Sequence, residues 1–148
     1  MKKPVQQFVN YFNSLNSLSY KYCYIVIDVH NTIFIPTFDK EEKFEYFRWA
    51  KQYLQILSKM PNIKLIMWTG TYKDKLKMYL DHFEENNIHF DYINENPECT
   101  NSNYACFDNK FYFDIGFDDK FGFDGNVDWT ELYPELIKYY VNNYENRN

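Results

Sequence analysis

Cysteine, glycine and proline are all scarce in this chain of 148 residues, which has three, four and five of them. Three cysteines (Cys23, Cys99 and Cys106) make an odd count without framework spacing. That excludes a disulfide scaffold and predicts free thiols in a reducing compartment. Few glycines and prolines exclude a low-complexity or disordered chain. No apolar run approaches the ~20 residues that span a bilayer. The opening MKKPVQQFVNYF is basic but has no long apolar region and no small-residue cleavage site, so it is not a signal peptide. The expectation is a soluble cytoplasmic protein with no membrane partner. Basic residues are outnumbered, 16 against 21 acidic ones, for a net charge of −5. Such a balance gives no indication of a nucleic-acid partner. His82 and His89 lack ligand-like spacing with the cysteines, which argues against zinc.

Aromatic residues are abundant, with 15 Tyr and 14 Phe. The length suits one domain, residues 1–148, able to bury a core without staples. Val5, Phe8, Val9, Phe12 and Leu15 recur at helical spacing and predict a helix over 4–15. Residues 22–27 and 63–68 are apolar runs without polar alternation, as in strands covered on both faces. Between them Phe44, Phe47, Ala50, Leu54 and Leu57 predict a helix over 40–59, ended by Pro61-Asn62. A third helix is expected over 74–85, closed by Asn86-Asn87. Strands follow over 88–93 and 111–117, and Asp128 with Glu131 suggests a capping box for a last helix. Strands alternating with helices imply a parallel α/β sheet with helices on both faces. Right-handed crossovers then place the strand C-termini on one edge, where ligands of such sheets bind.

The residues leaving those strand ends are polar. The first strand ends in Asp28, followed by His30 and Thr32; the second ends at Thr69; the fourth ends at Asp118 and Asp119; Lys110 precedes the fourth. Carboxylates brought together without a positive group repel, and a divalent cation relieves them. Mg²⁺ suits a site of few carboxylates plus substrate phosphate.

Four segments in order resemble the haloacid dehalogenase (HAD) superfamily. DVHNT is similar to its first motif, D-x-D-x-T after an apolar strand, and LIMWTG to its second, a strand ending in Thr or Ser. Lys110 fits the third and IGFDD the fourth, a strand ending in paired acids. FDYINENP and DIGFDDKFGFDGNVDW are further similar to segments of small, mostly uncharacterised phosphatase-like members from bacteria and phages. The resemblance implies a three-layer Rossmann-like (HAD-like) fold with minimal or no cap, and a Mg²⁺-dependent phosphatase. Asp28 would be the nucleophile and form an aspartyl-phosphate. Mg²⁺ would be held by Asp28, the main-chain carbonyl of His30, Asp118 and Asp119. Phosphate would be bound by Thr69, Gly70 and Lys110, a positioning and electrostatic task.

The departure is His30, which stands where the family has the acid/base Asp. Three roles are open to it: working acid/base, a block on turnover, or a structural histidine bonded to the loop that follows. Losing a general acid costs ~10²–10⁴-fold, so the alternative function is a catalytically weak phosphate- or protein-binding domain. A receiver-like signalling domain shares the Asp, Thr and Lys, but its acid pair ends the first strand rather than the last. Lys73 and Lys75 compete with Lys110, and Asp124 is a weaker candidate near the metal. Asn94 and Asn96 either touch substrate or fix their loop through side-chain to backbone bonds. With no helical subdomain between the later strands, the open site suits a phosphorylated macromolecule or a small phosphorylated substrate, a nucleoside monophosphate among them.

Overall fold

The computed structural model describes residues 3–14, 21–38 and 41–145. Its elements are α1 (Lys3–Asn13), β1 (Cys23–Asp28), α2 (Ala50–Lys59), β2 (Ile63–Trp68), α3 (Lys73–Glu85), β3 (Tyr92–Ile93), β4 (Ile115–Phe117) and α4 (Asp128–Tyr140). One turn of 3₁₀ helix, Asp119–Phe121, follows β4. The four strands form one sheet in the order β3-β2-β1-β4, and every pair is parallel. The fold is therefore α/β, as the alternation of strands and helices predicts. Leu15 and Lys40 lie outside the described residues. No described helix is long and apolar enough to cross a membrane. All three cysteines are free, Cys23 and Cys99 buried and Cys106 exposed.

Successive side chains of a strand point to opposite faces, and the two faces differ. On the first, Ile25, Ile27, Leu65, Met67, Ile115 and Phe117 join one large core with residues of all four helices. Trp129, Tyr53, Leu54 and Leu57 are almost wholly buried there, each contributing on the order of 1.5–3 kcal/mol from burial. On the second, Tyr24, Val26 and Ile66 pack with Cys99 and with Phe107, Phe111, Tyr112 and Phe113. None of these covering residues is helical; all come from the β3–β4 connection. The expectation of helices on both faces thus meets a cover of aromatic loop on the second.

Three other expectations need correction. The helix over 40–59 shortens to Ala50–Lys59. Residues 33–38 and 41–47 instead form a small arm: Ile35 N–H donates to Glu45 C=O at 2.8 Å and Phe47 N–H to Ile33 C=O at 3.0 Å. Phe44-Glu45-Tyr46 alternates with period two, so it reads as strand, and Phe34 bridges Tyr46 antiparallel. Phe44 and Trp49 also sit at φ 51° and 71°, which no α-helix contains.

The third and fourth strands are shorter than predicted, at two and three residues. At the mouth of each, a carboxylate replaces ladder pairing: Asp91 Oδ2 accepts from Leu65 N–H, and Asp114 Oδ2 from Tyr24 N–H, both at 2.9 Å. The capping box is absent. Val127 precedes α4 without a side-chain cap, and Asp128 Oδ2 accepts the N–H of Asp124 at 2.7 Å. Asp124 is thereby spent on starting α4; its Oδ1 accepts from Asn126 N–H at 3.0 Å.

Candidate active site

β1 and β4 are neighbours, so Asp28 at the end of one and Asp118-Asp119 beyond the other emerge side by side. One carboxylate oxygen from each of Asp28, Asp118 and Asp119 lies within 4.8 Å of the others. Thr32 joins the two loops. Its hydroxyl, fully buried, donates to Asp28 Oδ2 at 3.2 Å and accepts from Asp119 N–H at 3.1 Å. Trp129 Nε1 holds the Thr32 carbonyl at 2.7 Å, which pins this turn to the helical core. Asp118 Oδ1 accepts from Lys120 N–H at 2.8 Å, capping the 3₁₀ turn.

The charges are tense. Burial, then a hydrogen bond with Asp119, then the charge of Asp118 push the Asp28 carboxyl up to about 7, against the opposing pull of the Thr32 hydroxyl. Burial also works against ionised Asp119. The Asn31 amide at 3.0 Å and the hydrogen bond from Asp28 outweigh it and hold Asp119 below the ordinary carboxylate range. The two carboxyls are thus pushed apart, Asp28 upward and Asp119 downward. The three carboxylate oxygens are hard donors that could hold a divalent cation.

The other expected residues fall in two groups. Thr69 follows Trp68, the register partner of Asp28, so it stands at the adjacent strand end. Its hydroxyl pairs with that of Thr71 at 2.8 Å. Gly70 is exposed, and no atom crowds its Cα. Lys110 is exposed in the β3–β4 connection, its Nζ 5.9 Å from the Phe113 ring, on the rim of a cavity that Asp118 also lines. Lys73 and Lys75 open α3 at the surface.

Asn94 and Asn96 fix backbone. Asn94 accepts from Thr69 N–H at 2.9 Å and donates to Thr69 C=O at 2.7 Å, holding that strand end from φ 55°. Asn96 is buried and donates to Tyr112 C=O at 2.8 Å.

His30 is exposed, and its Nε2 lies 2.8 Å from Tyr79 Oη. Tyr79 donates its one proton to Glu42 Oε2 at 3.0 Å, so Nε2 is the donor to Tyr79. In the neutral ring the free lone pair is therefore on Nδ1. Tyr79 itself is pushed up to about 12 by burial and by Glu42.

Sequence reasoning passed over Asn31, Glu42 and Tyr79 as site residues. Asn31 had a local signal: it lies inside DVHNT and sits at φ 58°, where asparagine is tolerated. Tyr79 had none, being 49 positions from His30.

No protein-family model matches this chain, and neither does any curated protein or solved structure.

Proposed function

We propose that this protein is a Mg²⁺-dependent phosphohydrolase of the HAD type, with Asp28 as nucleophile. The observation that carries the reading is the meeting of Asp28, Asp118 and Asp119 oxygens within 4.8 Å at the C-terminal edge of a parallel sheet. Perturbed carboxylates at such an edge are a frequent mark of a functional site. The strand order β3-β2-β1-β4, with the motif residues at the ends of β1, β2 and β4, supports the HAD-like reading.

Asp28, Asp118, Asp119 and the His30 carbonyl would hold the cation, which supplies charge neutralisation for the carboxylates and the phosphate. An ionised Asp28 oxygen attacks phosphorus, and the bond to the leaving oxygen breaks. A doubly protonated His30 ring donates its Nδ1 proton to that oxygen, and the neutral ring so formed then takes a proton from the water that hydrolyses the aspartyl-phosphate and frees phosphate. Tyr79 and Glu42 hold the ring in one tautomer for this task. Thr69 and the main chain at Gly70, with Lys110, bind the phosphate oxygens. The substrate is a phosphomonoester, free or on a macromolecule.

A second reading is a phosphate- or partner-binding domain of weak turnover. What favours it is His30 itself, in place of the usual acid. Hydrolysis of p-nitrophenyl phosphate with and without Mg²⁺ separates the two. The first reading predicts Mg²⁺-dependent release of phosphate, lost in Asp28→Asn and reduced ~10²–10⁴-fold in His30→Asn. Mg²⁺ binding without turnover on any phosphomonoester would support the second.

A further inference from the structure

On the second face of the sheet, beside the carboxylates, lies a cavity of about 450 Å³. Strand alternation explains its position. Asp28 and Trp68 are register partners, Val26 pairs with Gly116, and Asp118 follows Gly116 by two. All five positions therefore share the second face. The carboxylate cluster and the cavity adjoin at Asp118, which belongs to the cluster and lines the cavity.

The walls are mainly aromatic. Trp68, Phe111, Phe113 and Phe121 line them. Trp68 and Phe111 meet at 5.6 Å with their planes 54° apart. Trp68 remains 41% exposed and Phe121 75% exposed, so neither serves the core. The floor is open because residue 116 is glycine: a Cβ there would come within 3.3 Å of Val26 Cγ1 and 3.4 Å of the Phe113 ring. Any larger side chain would grow into the hollow. Lys110 adds a positive charge to the lining, and Asn109 a side-chain amide. The size falls within the ~300–1,000 Å³ of small-molecule sites, which combine apolar walls with a few polar groups.

We infer that this hollow receives the leaving group of the substrate, and that the leaving group is a flat aromatic ring system borne on a phosphomonoester, with Trp68 as the specificity residue. The inference rests on the phosphohydrolase reading of the carboxylates. Exposed aromatic rings around a slot favour stacking on a planar partner. An aliphatic ester would gain only its phosphate contacts. Lys110, which lines the cavity with Asp118, would meet the phosphate while the ring lies deeper. Two sources share this chemistry: simple aryl phosphates and nucleoside monophosphates.

The test is a panel of esters with Mg²⁺: phenyl phosphate, AMP and UMP against glycerol 3-phosphate and ribose 5-phosphate. Wild type is compared with Trp68→Ala, Trp68→Phe and Gly116→Val. The expected result is a preference for the aromatic esters that Trp68→Ala erodes about tenfold through KM. Trp68→Phe should restore most of it, and Gly116→Val, which fills the hollow, should abolish it. Preference for AMP or UMP over phenyl phosphate would assign a nucleobase, and the reverse order a simple aryl group. Equal turnover of all five esters, or an equal loss on all five in Trp68→Ala, would overturn the inference. If no ester is hydrolysed, the phosphohydrolase reading fails, and binding decides the hollow separately. Saturation-transfer NMR with AMP and phenyl phosphate should then show ring protons in contact in wild type and not in Trp68→Ala. Absence of contact in wild type would overturn the inference.

Discussion

The two faces of the sheet are built from the same strands and do different work. The first face is closed by four helices and a continuous apolar core. The second is closed by a helix-free aromatic segment, and an open cavity remains between that segment and the strand ends. The parallel crossovers account for the division. Moving from β1 to β2 to β3 in one direction keeps α2 and α3 on one face, by right-handedness. Returning past β1 to β4 sends the chain over the other. Because that return carries no helix, it lies against the sheet as rings and hydrogen-bonded turns. One face therefore anchors the carboxylates, and the other gives them a neighbouring space.

The largest way to break this contrast is a pair of tryptophan substitutions. Trp129 is fully buried on the first face, packs against Phe117, Phe123 and Tyr53, and holds the Thr32 carbonyl. Trp129→Ala is expected to cost about 3–5 kcal/mol in denaturant unfolding. Trp68→Ala on the second face is expected to cost only about 0.5 kcal/mol. Equal losses would mean that the aromatic cover is as structural as the helical one.

A smaller effect is expected at the joint between the loops. Thr32→Val keeps the buried shape but removes the hydroxyl that serves Asp28 and Asp119. The Asp119 N–H loses its acceptor, at about 1–3 kcal/mol. Asp28 also loses a hydrogen bond that favours its ionised form, so its carboxyl moves further up. Unfolding together with an NMR titration of the Asp28 carboxyl would register both; an unmoved titration would remove Thr32 from the site's electrostatics.

Much of this was legible in the chain. Apolar runs ending in polar residues located β1 and β2 and their edge, because strands covered on both faces lose polar alternation. The acids at 28, 118 and 119 were legible for the same reason: nothing in a buried strand calls for them. The arm over 33–38 and 41–47 was misread because Phe44, Phe47 and Ala50 fit a helical period, while Phe44 and Tyr46 also fit a strand. Hydrogen bonds back to Ile33 and Ile35 decided between them, and those are long-range. The shortness of β3 and β4 was hidden likewise, since Asp91 and Asp114 act on backbone of other strands. The His30–Tyr79–Glu42 chain joins three separate segments, and no local spacing reveals it.

The smallest expected effect is on the dependence of stability on pH. Asp28 is raised in the fold from an ordinary 3.8 to about 7, so the folded metal-free state binds the extra proton. Its contribution is fully present below the unfolded value and is lost as pH rises from about 4 through 7. The depressed Asp119 works in the opposite sense, its contribution being lost as pH falls through the acid range. Melting temperature without metal should decline modestly between roughly pH 5 and pH 8. Mg²⁺ should flatten that decline by taking the proton's place, more at about pH 8 than at about pH 5. A slope unaffected by Mg²⁺ would argue against a cation among the three carboxylates.

The central claim is that Asp28 carries the phosphoryl group. The most direct measurement is to quench the protein during turnover of p-nitrophenyl phosphate with Mg²⁺, reduce with borohydride, and map the product by mass spectrometry. The account predicts conversion of Asp28 to homoserine, dependent on Mg²⁺ and on substrate. Phosphate release with Asp28 unmodified, or undiminished in Asp28→Asn, would contradict it.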